Sequence, residues 1–127
     1  MELVARDGSD VPAAVGGYAN AVEVVAAHKL LFISGQIPMT CDGRVPAGFE
    51  AQCRQVWANI VGCLRDADLR VENLVKVTTY LSDRSYAEIN SAVRRDILGT
   101  HRPALTVVLT DIFDEGWLLE IEAIAAV

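Results

Sequence analysis

A chain of 127 residues, 52% of them hydrophobic, is long enough to bury one core and too short for two, so residues 1–127 are read as a single domain. Seventeen acidic side chains against eleven basic ones leave a formal charge of −6, which opposes binding to a polyphosphate, and nucleic acid is not expected as a partner. Glu2, Asp7, Asp10 and Glu23 interrupt the first thirty residues, so neither a basic-then-apolar leader nor an uncharged membrane span fits there; a cytoplasmic protein without a membrane partner is expected. Cys41, Cys53 and Cys63 form no CxxC pair, and His28 and His101 stand far apart. Neither a disulfide framework nor a metal site is expected, and the cysteines read as buried or idle thiols.

Taken in chain order, Glu2 to Ala5 reads as an edge strand, and Ala21 to Ala26 and Lys29 to Ser34 as two more short strands. Pro46 then opens a helix from about 47 to 66, because Phe49, Cys53, Val56, Trp57, Ile60 and Leu64 recur at spacings of three and four. Leu74 to Leu81 is rich in Val and Thr, and Val75, Val77, Thr79 and Leu81 fit one buried strand face.

Tyr86, Ile89, Val93 and Ile97 predict a second amphipathic helix, capped by Asp83 or by Ser85 with Glu88, and stopped at Gly99. Ala104 to Thr110 and Trp117 to Ala126 are β-prone and separated by Asp111, Asp114, Glu115 and Gly116, which predicts a hairpin. The order is β-β-β-α-β-α-β-β. Two helices among antiparallel blocks of strand argue for an α+β layer, one mixed sheet with both helices on one face. In the last strand Leu119, Ile121, Ala123 and Ala125 point one way and Leu118, Glu120, Glu122 and Ile124 the other. Both faces are partly apolar, so a symmetric oligomer packing sheet against sheet is expected.

Several segments carry a family resemblance across nearly the whole chain. Gly16-Gly17-Tyr18-Ala19-Asn20-Ala21 resembles a Gly-Pro-Tyr-Ser-Gln-Ala segment, and Phe32-Ile33-Ser34-Gly35-Gln36-Ile37-Pro38 a strand-turn motif, of the Rid (YjgF/YER057c/UK114) family. Gln52, Asn59, Val75-Lys76-Val77-Thr78, Asn90, Pro103-Ala104 and Glu120-Ile121-Glu122-Ala123-Ile124-Ala125 follow in the family's order and spacing. The resemblance implies a chorismate-mutase-like α+β fold, a homotrimer with sheets facing inward, and three clefts at the subunit interfaces. It also implies hydrolysis of reactive enamines and imines, such as 2-aminoacrylate, to a 2-oxo acid and ammonia without metal or organic cofactor.

One departure bears on that chemistry. The residue after Pro-Ala, an arginine that holds the substrate carboxylate in the family's archetypal subgroup, is Leu105 here. Two charge-assisted hydrogen bonds at roughly 1.5–3 kcal/mol each amount to about two to four orders of magnitude in carboxylate binding. Val107 replaces a frequent cysteine and Gly17 a proline, so the pocket is more apolar.

By the resemblance, Glu120 activates water or moves a proton. In a cleft walled by Leu105 and Val107, a carboxylate suits general base or acid work. Tyr18 walls the ligand, Ser34 and Gly35 line the cleft, and Asn90 ties the second helix to neighbouring backbone. Glu122 reads as an interface ion-pair partner. Arg102 either reaches round to replace the lost arginine or pairs with an acidic residue at the rim of the strand entrance; an odd offset of three along a strand favours the rim.

Two functions remain open: an imine or enamine hydrolase, or related isomerase, acting on a small metabolite other than an ordinary 2-imino acid, and a non-catalytic trimer that binds or senses a small molecule. A ribonuclease is disfavoured by the charge and by the want of a basic-aromatic stripe.

Overall fold

Strong alternation and β-branching make Leu74–Leu81 the centre of the sheet in the computed structural model, which describes all 127 residues. The strands are β1 (Glu2–Ala5), β2 (Val22–Val25), β3 (Leu30–Gln36), β4 (Leu74–Leu81), β5 (Ala104–Leu109) and β6 (Leu119–Ala126). The helices are α1 (Phe49–Asp66) and α2 (Ala87–Leu98). Their order matches the expected β-β-β-α-β-α-β-β, and the fold is α+β.

Pairing differs from expectation in two places. β5 and β6 do not form a hairpin: the sheet runs β3-β6-β4-β5, with β4 parallel to β5 and antiparallel to β6. The crossover through α2 delivers β5 parallel to β4, and residues 110–118 are ample to step over β4, a span of about 10 Å. Nor is there one sheet. β1 and β2 form a separate antiparallel ribbon, joined to the β5 edge only by a bridge between Ala19 and Ala104. Beyond that bridge the chain turns at Asn20, whose amide bonds to the Asp7 and Pro12 carbonyls (both 2.8 Å).

α1 buries Phe49, Cys53, Val56, Trp57, Ile60 and Leu64 as its spacing predicts, against Leu119, Ile121, Ala123 and Ala125 of β6. In β4 a bulge between Leu74 and Lys76 lets Leu74, rather than Val75, share the buried side with Val77, Thr79 and Leu81. Asp68 adopts the left-handed conformation (φ 59°) while its N–H and that of Leu69 close onto Arg65 and Leu64, a Schellman ending built on a non-glycine residue.

α2 is rotated from its expected orientation. Ile89 is exposed, and the buried stripe is Asn90, Val93, Arg94 and Leu98. Tyr86 precedes the helix and stacks on Phe49, with ring centroids 4.3 Å apart. Asp83 caps the short 3₁₀ turn at Arg84–Tyr86 by accepting from the Ser85 N–H (2.8 Å), so no Ser85–Glu88 box forms. No helix is long and apolar enough to cross a membrane.

Candidate functional site

The open face of the sheet is where chemistry-bearing side chains collect. Glu120, Glu122 and Ile124 of β6 lie there with Lys76, Thr78 and Tyr80 of β4, and with Leu30, Phe32 and Ser34 of β3. Phe32 is 70% exposed and Leu30 55%, an apolar margin beside charged groups. A groove of about 440 Å³ is lined by Phe32, Ser34, Lys76, Thr78, Glu122 and Ile124. Next to it Glu120, Tyr80, Asp111 and Ile112 border a hollow of about 280 Å³.

A second β-bulge shapes this face. Ile33 pairs with Ala123 and Gln36 with Ile121, so Ser34 and Gly35 together oppose Glu122. The glycine is required by a close approach: a Cβ on Gly35 would fall 2.7 Å from Cδ of Glu120 and closer still to its Oε2. The Glu120 carboxylate thus lies across bare backbone at the bulge. Of the expected site residues, Gly35 meets Glu120 and Ser34 precedes it at the bulge, across from Glu122.

Glu122 is committed differently, accepting a hydrogen bond from the Tyr80 hydroxyl (2.6 Å). That bond, and then burial, push the Tyr80 pKa upward. Lys76 donates to Thr106 Oγ1 (2.6 Å).

The remaining expected site residues sit elsewhere in the chain. Leu105 and Val107 register with Val77 and Thr79, whose side chains point toward the helices, so both lie on the opposite face from Glu120, with β4 between the two strands. A cleft in which they wall Glu120 is therefore not formed within one chain. Leu105 packs against the core, while Val107 is 43% exposed at the sheet edge. Tyr18 immediately precedes the Ala19–Ala104 bridge and so belongs to the β5 end of the molecule.

Asn90 is buried, but its Oδ1 meets the Cys53 thiol across α1 (3.9 Å) rather than neighbouring backbone. Burial pushes the Cys53 thiol up to about 12. Arg102 takes the rim position: its Nη2 donates to Asp7 (2.7 Å) and its Nε to the Tyr18 carbonyl (3.2 Å). That guanidinium, through its hydrogen bond, holds the Asp7 carboxyl below the usual range.

Two glutamine and asparagine side chains hold the frame. Gln52 donates to the Pro46 and Gly116 carbonyls (3.1 Å each) and accepts from the Leu118 N–H (2.9 Å), anchoring the approach to β6. Asn59 donates to the Ile37 and Met39 carbonyls, anchoring the exit from β3. The residue that sequence reasoning missed is Arg94, buried with most of its guanidinium unpartnered. Its signal lay in Asn90: four residues on, a polar stripe on the buried side of α2 continues through Arg94.

The Endoribonuclease L-PSP family profile matches residues 8–127. The chain belongs to this family, the Rid (YjgF/YER057c/UK114) proteins. It is 37% identical to Protein HMF1 of Saccharomyces cerevisiae over 117 residues, 91% of this chain and 88% of that protein. It is 33% identical to the 2-iminobutanoate/2-iminopropanoate deaminase of Escherichia coli over 121 residues, 91% of each. Among solved structures, the Rid protein YyfB of Yersinia pestis, of unknown function, superposes with a TM-score of 0.87 at 25% identity over the full length of both chains. RidA from the Antarctic bacterium Psychrobacter superposes with a TM-score of 0.74 at 32% identity, covering 91% of this chain and 93% of that one. This Rid protein carries leucine, Leu105, after its Pro-Ala pair.

Proposed function

We propose that this Rid protein hydrolyses an imine or enamine, or isomerises a related intermediate, on a small metabolite other than an ordinary 2-imino acid. The reaction takes place in a cleft between subunits of a homotrimer. The carrying observation is the Glu120 carboxylate laid across Gly35 at the Ser34 bulge, on a sheet face that one chain leaves uncovered. Leu30 and Phe32 on that face supply the apolar area that would be buried as copies pack sheet inward. Such packing also offers a way for the β5 edge of one subunit, with Leu105 and Val107, to meet the Glu120 side of the next.

In the hydrolytic reading Glu120 takes a proton from water as its oxygen bonds to the imine carbon. The imine enters protonated on nitrogen (an enamine first takes a proton on carbon), so this addition gives a neutral carbinolamine. Glu120 then passes its proton to nitrogen and takes the hydroxyl proton as the C=O bond forms, the C–N bond breaks and ammonia leaves, and that last proton goes to the departing ammonia. Ser34 and Tyr18 supply hydroxyls, and Gly35 leaves room for the ligand's close approach. Leu105 offers a carboxylate no charge-assisted hydrogen bond, which argues against the ordinary substrate. The same apolar residue also supports the second reading, a trimer that captures a small molecule unchanged. A nuclease fits poorly, since the charge is −6 and the open face carries Glu120 and Glu122.

Ammonia release across a panel of imines and enamines, read beside Glu120→Gln, tests the proposal. Turnover lost in Glu120→Gln supports it; equal turnover in both proteins refutes the role of Glu120, and ligands recovered unchanged by a folded trimer move the assignment to the binding protein.

A further inference from the structure

Arg94 is 4% exposed and lies on the buried stripe of α2, one turn beyond Asn90. Its Nη2 donates to the Gly16 carbonyl (2.8 Å), but Nε and Nη1 are buried without a hydrogen-bond partner. It makes no ion pair, and the nearby charge that acts on it is that of Arg95, of the same sign, not a carboxylate. Guanidinium remains charged at neutral pH, and a buried charge with no counter-ion is strongly unfavourable. Such a group marks a place where an anion belongs.

The surroundings make the same case independently. Three arginines converge on one turn: Arg94 on the Gly16 carbonyl, Arg102 through Nε on the Tyr18 carbonyl, and Arg95, whose Cγ would lie 3.8 Å from a Cβ on Gly17. Of the three, only Arg102 has a carboxylate partner, Asp7. In a chain with six more acids than bases, this is a concentrated positive spot. Gly16 and Gly17 both have positive φ (114° and 79°), and a Cβ on Gly16 would lie 3.9 Å from the Tyr18 ring and 4.0 Å from Nη2 of Arg94, so bare glycine backbone borders the guanidinium. The bridge at Ala19 pins the turn to the end of β5, one residue from Leu105.

We propose that Arg94 is an anion-holding residue: lifting the Gly16–Tyr18 turn exchanges the Gly16 carbonyl for the carboxylate of a small ligand whose apolar or aromatic body packs against Tyr18 and Leu105. The proposal rests on Arg94 and its neighbours, not on turnover at Glu120, and is tested by binding alone.

Benzoate serves as the carboxylate probe and inorganic phosphate as the comparison, each titrated at constant ionic strength and followed by calorimetry and thermal unfolding. Benzoate is expected to bind and raise Tm in the wild type. Its affinity is expected to fall at least about tenfold in Arg94→Met, as loss of a charge-assisted hydrogen bond implies, and to a smaller degree in Arg94→Lys. Arg44→Ala, in an exposed loop where Arg44 pairs with Asp42, is expected to keep wild-type affinity. Without ligand, Arg94→Met is expected to unfold at or above the wild-type temperature, because a lone buried charge has gone. The proposal is overturned if the wild type ignores benzoate, if Arg94→Met binds it unchanged, or if phosphate alone binds. It is also overturned if ligand-free Arg94→Met loses stability that Arg94→Lys retains, since Arg94 would then be a structural tie for the Gly16 turn.

Discussion

Gly35→Ala is the substitution whose outcome the geometry determines most tightly. The new methyl carbon would stand 2.7 Å from Cδ and 3.0 Å from Cγ of Glu120, inside any tolerable contact, so one side must move. Gly35 has no positive φ, so the backbone itself accepts alanine, and the yielding group is the flexible end of Glu120. Forcing that side chain off its rotamer costs about 0.5–1.5 kcal/mol, which for a domain of this size lowers Tm by roughly 2–8 °C.

In a Glu120→Ala background the obstruction is gone, and only the reduced freedom of the unfolded chain remains. There Gly35→Ala is expected to be neutral or to stabilise by about 0.5 kcal/mol. A four-protein cycle in urea unfolding therefore predicts a change of sign, with a coupling of about 1 kcal/mol. Equal effects of Gly35→Ala in both backgrounds would refute the claim that Glu120 lies over Gly35. The same displacement is expected to depress turnover as strongly as Glu120→Gln.

Three further outcomes follow from the frame. Gln52→Ala strands the Pro46, Gly116 and Leu118 backbone groups and is expected to cost about 2–4 kcal/mol in urea unfolding, whereas an unchanged midpoint would show those bonds to be replaceable by water. Asp68→Gly relieves a left-handed aspartate at the end of α1 and is expected to stabilise by about 1 kcal/mol, read as a rise in Tm. Cys53 holds its proton more tightly folded than unfolded. Its contribution is therefore complete below the unfolded value of 9.0 and is lost as pH rises toward about 12, with a slope of up to about 1.4 kcal/mol per pH unit. Stability measured from pH 8 to 11 should fall less steeply in Cys53→Ala, and thiol reagents at pH 8 should modify Cys41 but spare Cys53 until unfolding.

Local patterns proved reliable where one physical cause dominated. The three-four spacing from Phe49 to Leu64 and the alternation ending in Leu81 placed α1 and β4, because burial against a single neighbour sets each. Pairing was less legible. Ala104–Thr110 and Trp117–Ala126 look like a hairpin until the crossover through α2 places β5 on the far side of β4, a consequence of topology that no local turn signal encodes. The site divides along the same line. Gly35, next to Ser34, meets Glu120 because a bulge and a register bring them together, whereas Leu105 and Val107 face the other way. Arg94 was hidden by a rotation of α2: Ile89 looked like a core residue and is exposed, which moved the buried stripe onto a charged side chain.

The most direct test of the central claim is ammonia release from freshly generated 2-aminoacrylate by wild type, Leu105→Arg and the double variant Leu105→Arg/Glu120→Gln at equal protein concentration. If Glu120 serves an intersubunit cleft retuned by the leucine, Leu105→Arg gains activity over wild type by about two orders of magnitude or more, and the double variant loses it. A folded Leu105→Arg protein that stays silent, or a double variant as active as the single one, would contradict the account.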